Sequence, residues 1–168
     1  MIQVATYEIA RDGNTVVIRA VGLANMKSAP VLDAFFNDLT QQDVALVCVD
    51  LSSCTGMDST FMGLLVGRAH QQVTKGGRLV IVNPTANGSR LLAMLGLDQV
   101  IPVIECALQA DLKFVTIGTR DAIPPRERLE LIKRAHEDLA NLNEENQGKF
   151  TAFLQALERD LLKLNMHK

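Results

Sequence analysis

No apolar run in this chain approaches the roughly 20 residues that carry a helix across a bilayer, and the N-terminus lacks the basic-then-apolar order of a secretory signal. The expectation is a cytoplasmic protein with no membrane partner. Cysteine is scarce: Cys48, Cys54 and Cys106 are widely spaced, with no Cys-x-x-Cys pair to hold a metal or run a redox cycle. Neither sign of charge dominates. The formal net charge is −2 with acidic and basic residues interspersed, which argues against a nucleic-acid surface. The three histidines, His70, His136 and His167, have no zinc or triad spacing. Gly76-Gly77 follows a helical pattern and lacks the lysine and hydroxyl of a phosphate-binding loop. These absences leave no expected catalytic group, metal or cofactor, and the chain reads as a non-enzyme whose partners are proteins or small molecules. What is present is apolar substance, 48% of 168 residues, enough for one well-buried domain and an appendage.

The most informative stretch is Val44 to His70. An apolar run, Val44 to Val49, leads into Asp50 and has the length and branching of a strand covered on both faces. Cys54-Thr55-Gly56-Met57 reads as a polar loop. Asp58-Ser59-Thr60 then opens a helix whose Phe61, Leu64, Leu65, Arg68, Ala69 and Gln72 recur at three- and four-residue steps. Asp58 or Ser59 is suited to the N-cap, where a short side-chain oxygen accepts a bond from a free N–H of the first turn. A serine there has two readings: a structural cap, or a hydroxyl at the positive end of a helix dipole where phosphate is tolerated. Cys48 is a core thiol by its place in the strand, and Cys54 is a candidate reactive thiol with no flanking cation to activate it.

Elsewhere the pattern alternates. Ile2 to Ile9 and Thr15 to Val21 flank Asp12-Gly13 as a hairpin, with Gly22 ending the second strand. Ala29 to Leu39 is an amphipathic helix with Pro30 in its first turn. Lys75-Gly76-Gly77 stops the Ser59 helix, and Arg78 to Val82 is a buried strand. Ser89 to Leu95 is a short helix, and Val100 to Ile104 an edge strand containing Pro102. Ala107 to Asp111 can extend into a final helix, while Phe114 to Ile117 is either an edge strand or a linker. The expected fold is α/β: a mixed sheet of four or five strands, mainly parallel in its later part and covered by helices. Pro124-Pro125 marks a break. Beyond it Leu129, Ile132, Leu139, Leu142, Phe153, Leu157 and Leu164 lie near heptad spacing, interrupted at residues 143–148, and two helices hinged at Gly148 are expected. The division is therefore 1–111 as the domain, 112–123 as linker or extra edge strand, and 124–168 as a C-terminal helical extension.

A strand ending in Asp50, then Met57-Asp58-Ser59-Thr60, a helix with Gly63 and Leu64, and a Gly-Gly break before another strand resembles the STAS domain of anti-sigma factor antagonists. The resemblance covers roughly Ile2 to Asp111. It implies a bacterial partner-switching protein of signal transduction and transcription regulation. In that family the unphosphorylated antagonist binds an anti-sigma factor serine kinase of the histidine-kinase-like ATPase type, phosphorylation releases it, and a PP2C-type phosphatase resets the switch. Carried over, Ser59 is the phosphoacceptor and Thr60 a lesser alternative, with Asp58, Ser59, Thr60, Phe61 and Met62 forming the partner surface. Many family members place Gly two residues after the serine; this chain has Phe61 there and its glycine at Gly63, so Phe61 faces either the core or the partner. STAS domains also serve as non-switching scaffolds or accessory subunits of lipid transporters. The C-terminal helices likewise have two readings: a hairpin packed within the chain, or a homodimer seam with Asn146 as a polar register residue.

Overall fold

The computed structural model describes residues 3–118 and 122–167. Ile2, at the start of the first expected strand, and residues 119–121 of the expected linker lie outside them. β1 (Thr6–Asp12) and β2 (Thr15–Ala24) form the expected antiparallel hairpin around Gly13-Asn14, and Gly13 takes the positive φ of 61° that such a turn requires. β3 (Leu46–Asp50), β5 (Arg78–Val82) and β6 (Val103–Ile104) then add in parallel, and α1 (Ala29–Leu39), α2 (Ser59–Thr74) and α3 (Ala86–Met94) connect them. The order across the sheet is β6-β5-β3-β2-β1, with β7 (Val115–Ile117) beyond β1.

Two strands bring the described sheet to seven rather than four or five. β7 (Val115–Ile117) pairs antiparallel with β1 and makes the far edge. β4 (Cys54–Met57), expected as a loop, pairs parallel with the end of β2. Gly22 allows this. Instead of ending β2 it sits at a register shift with φ 106°, and a Cβ there would lie 2.8 Å from the carbonyl oxygen of Gln3. The strand therefore continues past it to take β4 on one side. α3 begins three residues earlier than expected, because Thr85 supplies the cap to the Gly88 amide. Residues 107–111 form no helix.

The main core lies on one face, where Val16, Ile18, Val47, Val49, Leu79 and Ile81 meet the inner sides of the helices. The other face has a small cluster, Ala10, Val17, Cys48 and Val82, covered by Leu108, Leu112 and Phe114. At the far end of α2 the buried Arg68 donates from Nη1 to the Phe36 carbonyl at 2.9 Å, near the negative end of α1, and Gln72 Nε2 reaches the Val44 carbonyl at 3.0 Å.

The C-terminal extension is two helices, α4 (Pro125–Ala140) and α5 (Glu144–Met166). The break falls at 141–143, where the Asn143 side chain caps the Asn146 amide, and Gly148 lies inside α5 instead of at the hinge. Leu131, Ile132, Ala135, Leu139 and Leu157 join the main core. The hairpin thus packs within the chain, mainly across α2. Asn146 is buried and donates to the carbonyls of Leu95 and Leu139 at 2.8 and 3.0 Å, so its polar group serves an intramolecular joint.

Candidate functional site

The site is assembled where β2, β4 and α2 converge. β4 ends by bonding the Asp58 amide to the Ala24 carbonyl at 3.0 Å, which fixes the next residues beside the end of β2. Asp58 is extended and caps α2: Oδ1 accepts from the Phe61 amide at 2.9 Å and Oδ2 from the Met26 amide at 2.8 Å. One carboxylate therefore ties the helix start to the β2–α1 loop. The cap is Asp58, so Ser59 is free of that duty and stands as the first helical residue, half-buried.

Its hydroxyl is engaged elsewhere. Ser59 Oγ lies 2.8 Å from Nε2 of His136 on α4, and His136 Nδ1 lies 2.7 Å from the Ile132 carbonyl oxygen one turn back. A carbonyl can only accept, so Nδ1 carries the proton. Burial pushes the imidazole below its ordinary value, against the opposing pull of the Ile132 carbonyl and the Asp58 charge. At neutral pH the ring is uncharged, and its bare Nε2 accepts from the Ser59 hydroxyl. The ring is only 3% exposed and is held between Phe150, edge-on at 5.2 Å between centroids, and Phe153 at 4.6 Å.

Of the five residues expected at a partner surface, Asp58 and Ser59 are half-buried, while Thr60, Phe61 and Met62 are buried. Those three are not open to a partner in this arrangement. Phe61 has no exposed surface and stacks on Tyr7, with centroids 6.5 Å apart, which settles it as core-facing. Gly63 has a separate reason: a Cβ there would stand 2.1 Å from the Ala135 carbonyl oxygen, so its bare backbone is what lets α4 lie against α2. Cys54 is not an activated thiol. It is buried, burial pushes it up from its ordinary value, and Sγ donates to the Gly56 carbonyl.

His136 is the residue that the sequence reading passed over as one of three scattered histidines. A signal existed: Ile132, Ala135, His136 and Leu139 fall at helical spacing on one face, so the ring sits on the apolar stripe of α4. A groove of about 450 Å³ lies toward the other end of α2 between Val66, Val73, Leu79, Val100 and Leu142, away from Ser59. Among the described residues no cluster of His, Cys, Asp and Glu is placed to hold a metal, and no helix is long and apolar enough to cross a membrane.

The family model described as "Mlab, STAS domain" matches residues 7–105, more than half of the chain. The chain belongs to the STAS domain family. Comparison with curated proteins found no match. Among solved structures it is similar to the anti-sigma factor antagonist SpoIIAA in its unphosphorylated form, at 21% identity and a TM-score of 0.52, over 60% of this chain and 88% of that one. The phosphorylated form of the Bacillus protein matches with the same score and identity, over 60% and 91%. A Thermotoga maritima protein to which an anti-sigma factor antagonist role has been attributed matches at 17% identity and a TM-score of 0.54, over 60% and 86%. These likenesses establish the fold. The STAS family match stops at residue 105, so α4 and α5 lie beyond it.

Proposed function

We propose that this STAS protein is a cytoplasmic partner-switching antagonist: unphosphorylated, it binds an anti-sigma factor serine kinase of the histidine-kinase-like ATPase type, and phosphorylation of Ser59 releases it. A PP2C-type phosphatase restores the binding form. The observation that carries this reading is the division of labour at the start of α2. Asp58 does the capping, which leaves the Ser59 hydroxyl outside the main core on a helix start whose dipole favours phosphate. A phosphate adds about −1.5 to −2 charge at neutral pH, enough to change any contact made there. Affinity capture from the native cell with wild-type and Ser59→Ala baits tests it. Retention of an ATPase-domain kinase, stronger with the Ala bait, and phosphate on the Ser59 peptide by mass spectrometry are the expected results. Equal capture by wild-type, Ala and Asp baits overturns it.

A second reading is favoured by a specific observation. The matching family model is described by the name Mlab, and the Ser59 hydroxyl is already bonded to a buried histidine. Both suit a STAS unit that docks a partner without a phosphorylation cycle, as a scaffold or transporter accessory subunit. Absence of phosphate at Ser59 in the native cell, with a stable partner captured by all three baits, is its signature.

A further inference from the structure

We infer that the α4–α5 hairpin is a cis-acting cover on Ser59, and that a phosphate on Ser59 and the docked hairpin are mutually exclusive. The inference rests on the reading of Ser59 as a phosphoacceptor. It adds that the kinase meets an opened form and that phosphorylation holds the hairpin open.

In the docked state the Ser59 hydroxyl is committed to His136, and the contact between them has no space for a phosphate. Ser59 Oγ and His136 Nε2 are in hydrogen-bond contact at 2.8 Å, and a phosphoryl group inserted between them must push the ring back by several ångströms. Phe150 and Phe153 pack against the ring from α5, so moving it disturbs both helices of the hairpin. α4 lies directly against α2, its backbone meeting Gly63 and Asp138 meeting Gly67, so space beside Ser59 opens only as α4 moves away from α2. Displacement of the hairpin as a body relieves all of these contacts together. Transfer itself needs the same opening. Ser59 Oγ must attack the terminal phosphorus of a nucleoside triphosphate held by the kinase, forming an O–P bond as the bond to the diphosphate leaving group breaks and the hydroxyl proton passes to a base. In the docked state that hydroxyl is turned to His136.

The hairpin also looks like an addition to a finished fold. The STAS match ends before it, and SpoIIAA is covered over 88% of its own length by 60% of this chain. Its margins are pinned by polar contacts to three separate elements. His136 meets α2, Arg134 forks onto both oxygens of Asp33 on α1 at 3.1 Å each, and Asn146 meets the Leu95 carbonyl after α3. Only Asn146 and Leu157 of α5 are fully buried, with Phe150 and Leu154 partly buried against the core.

The test needs no kinase. Phosphoserine is incorporated genetically at position 59 of the full chain, and amide hydrogen exchange is compared with the wild type. The expected result is at least a tenfold loss of protection across α4 and α5, with β2, β3 and β5 unchanged. A disulfide between Gly67→Cys and Asp138→Cys, in a Cys106→Ser background, supplies the second measurement. A Cβ at Gly67 lies 3.4 Å from Asp138 Cγ, close to bonding geometry, and the oxidised bridge should restore protection that reduction removes again. Equal protection of α4–α5 in the phosphoserine and wild-type chains overturns the inference, as does loss that spreads equally through the sheet. Because the phosphoserine is incorporated during synthesis of the chain, the cover can stand or fall separately from the question of whether a cell phosphorylates Ser59.

Discussion

Leu65 on α2 and Leu139 on α4 are both fully buried helical leucines in one continuous core, yet they are held in place by different surroundings. Leu65 belongs to a helix joined to its sheet by β4 before it and β5 after it, so its loss is felt by everything the sheet supports. Leu139 belongs to a hairpin that reaches the core from outside and is fastened at its edges by a histidine, an arginine and an asparagine. The comparison teaches that burial alone does not say whether a segment is framework. How many of its fastenings are covalent neighbours of framework strands, and how many are polar groups that chemistry can switch, decides that.

The largest expected effect sharpens this difference. Replacing a buried leucine by alanine costs about 2–5 kcal/mol. Leu65→Ala should lower protection throughout the sheet in hydrogen exchange, whereas Leu139→Ala should concentrate its loss in α4 and α5. Identical losses at every amide in the two variants would break the distinction. Next comes the cap. Asp58→Ala strips an acceptor from both Phe61 and Met26 and should cost about 1–2 kcal/mol in urea unfolding, most of it recovered by Asn at the same position.

Acidification should loosen the hairpin before the sheet. Burial holds His136 below its ordinary value, so the undocked state binds the extra proton more readily and docking is stabilised as pH rises. That stability is complete above the ordinary histidine range, about pH 6.5, and is lost as pH falls through it toward the lowered value. Asp58 faces the ring from α2 and opposes the shift, while the α5 neighbours Phe150 and Phe153 are uncharged. Asp138, raised by burial, acts with the opposite sign and in a lower pH range. Exchange of α4 amides should therefore speed up from pH 7 to pH 5.5 after correction for intrinsic rates, and His136→Gln should abolish that dependence. The smallest effect is Arg134→Ala. Its side chain is 53% exposed, so the fork to Asp33 is expected to contribute well under about 1 kcal/mol, and less in high salt, measured as a shift in unfolding midpoint.

Much of the fold was legible residue by residue. The hairpin at Gly13, the first-turn Pro30 of α1, the cap and stop of α2 and the edge position of Val103 follow from local rules of turn chemistry, capping and periodicity. β4 was missed because Cys54-Thr55-Gly56-Met57 has no strand pattern of its own and becomes a strand only through pairing with β2 beyond the Gly22 bulge. The hinge of the C-terminal hairpin was set at Gly148 on propensity. The Asn143 cap and the burial of Asn146 outweigh one exposed glycine, so the break falls earlier.

By itself the sequence determined the STAS elements, their order, and a serine placed at the start of a helix with an aspartate before it. Those are short-range facts, written in adjacent residues. Only the tertiary structure decided that Ser59 is covered, because its partner His136 lies 77 residues away and the angle at which α4 crosses α2 is encoded in no local pattern. That crossing depends on a contact between two backbones, made possible where Gly63 offers no side chain, and it turns a histidine on an apolar stripe into the group that holds the candidate switch.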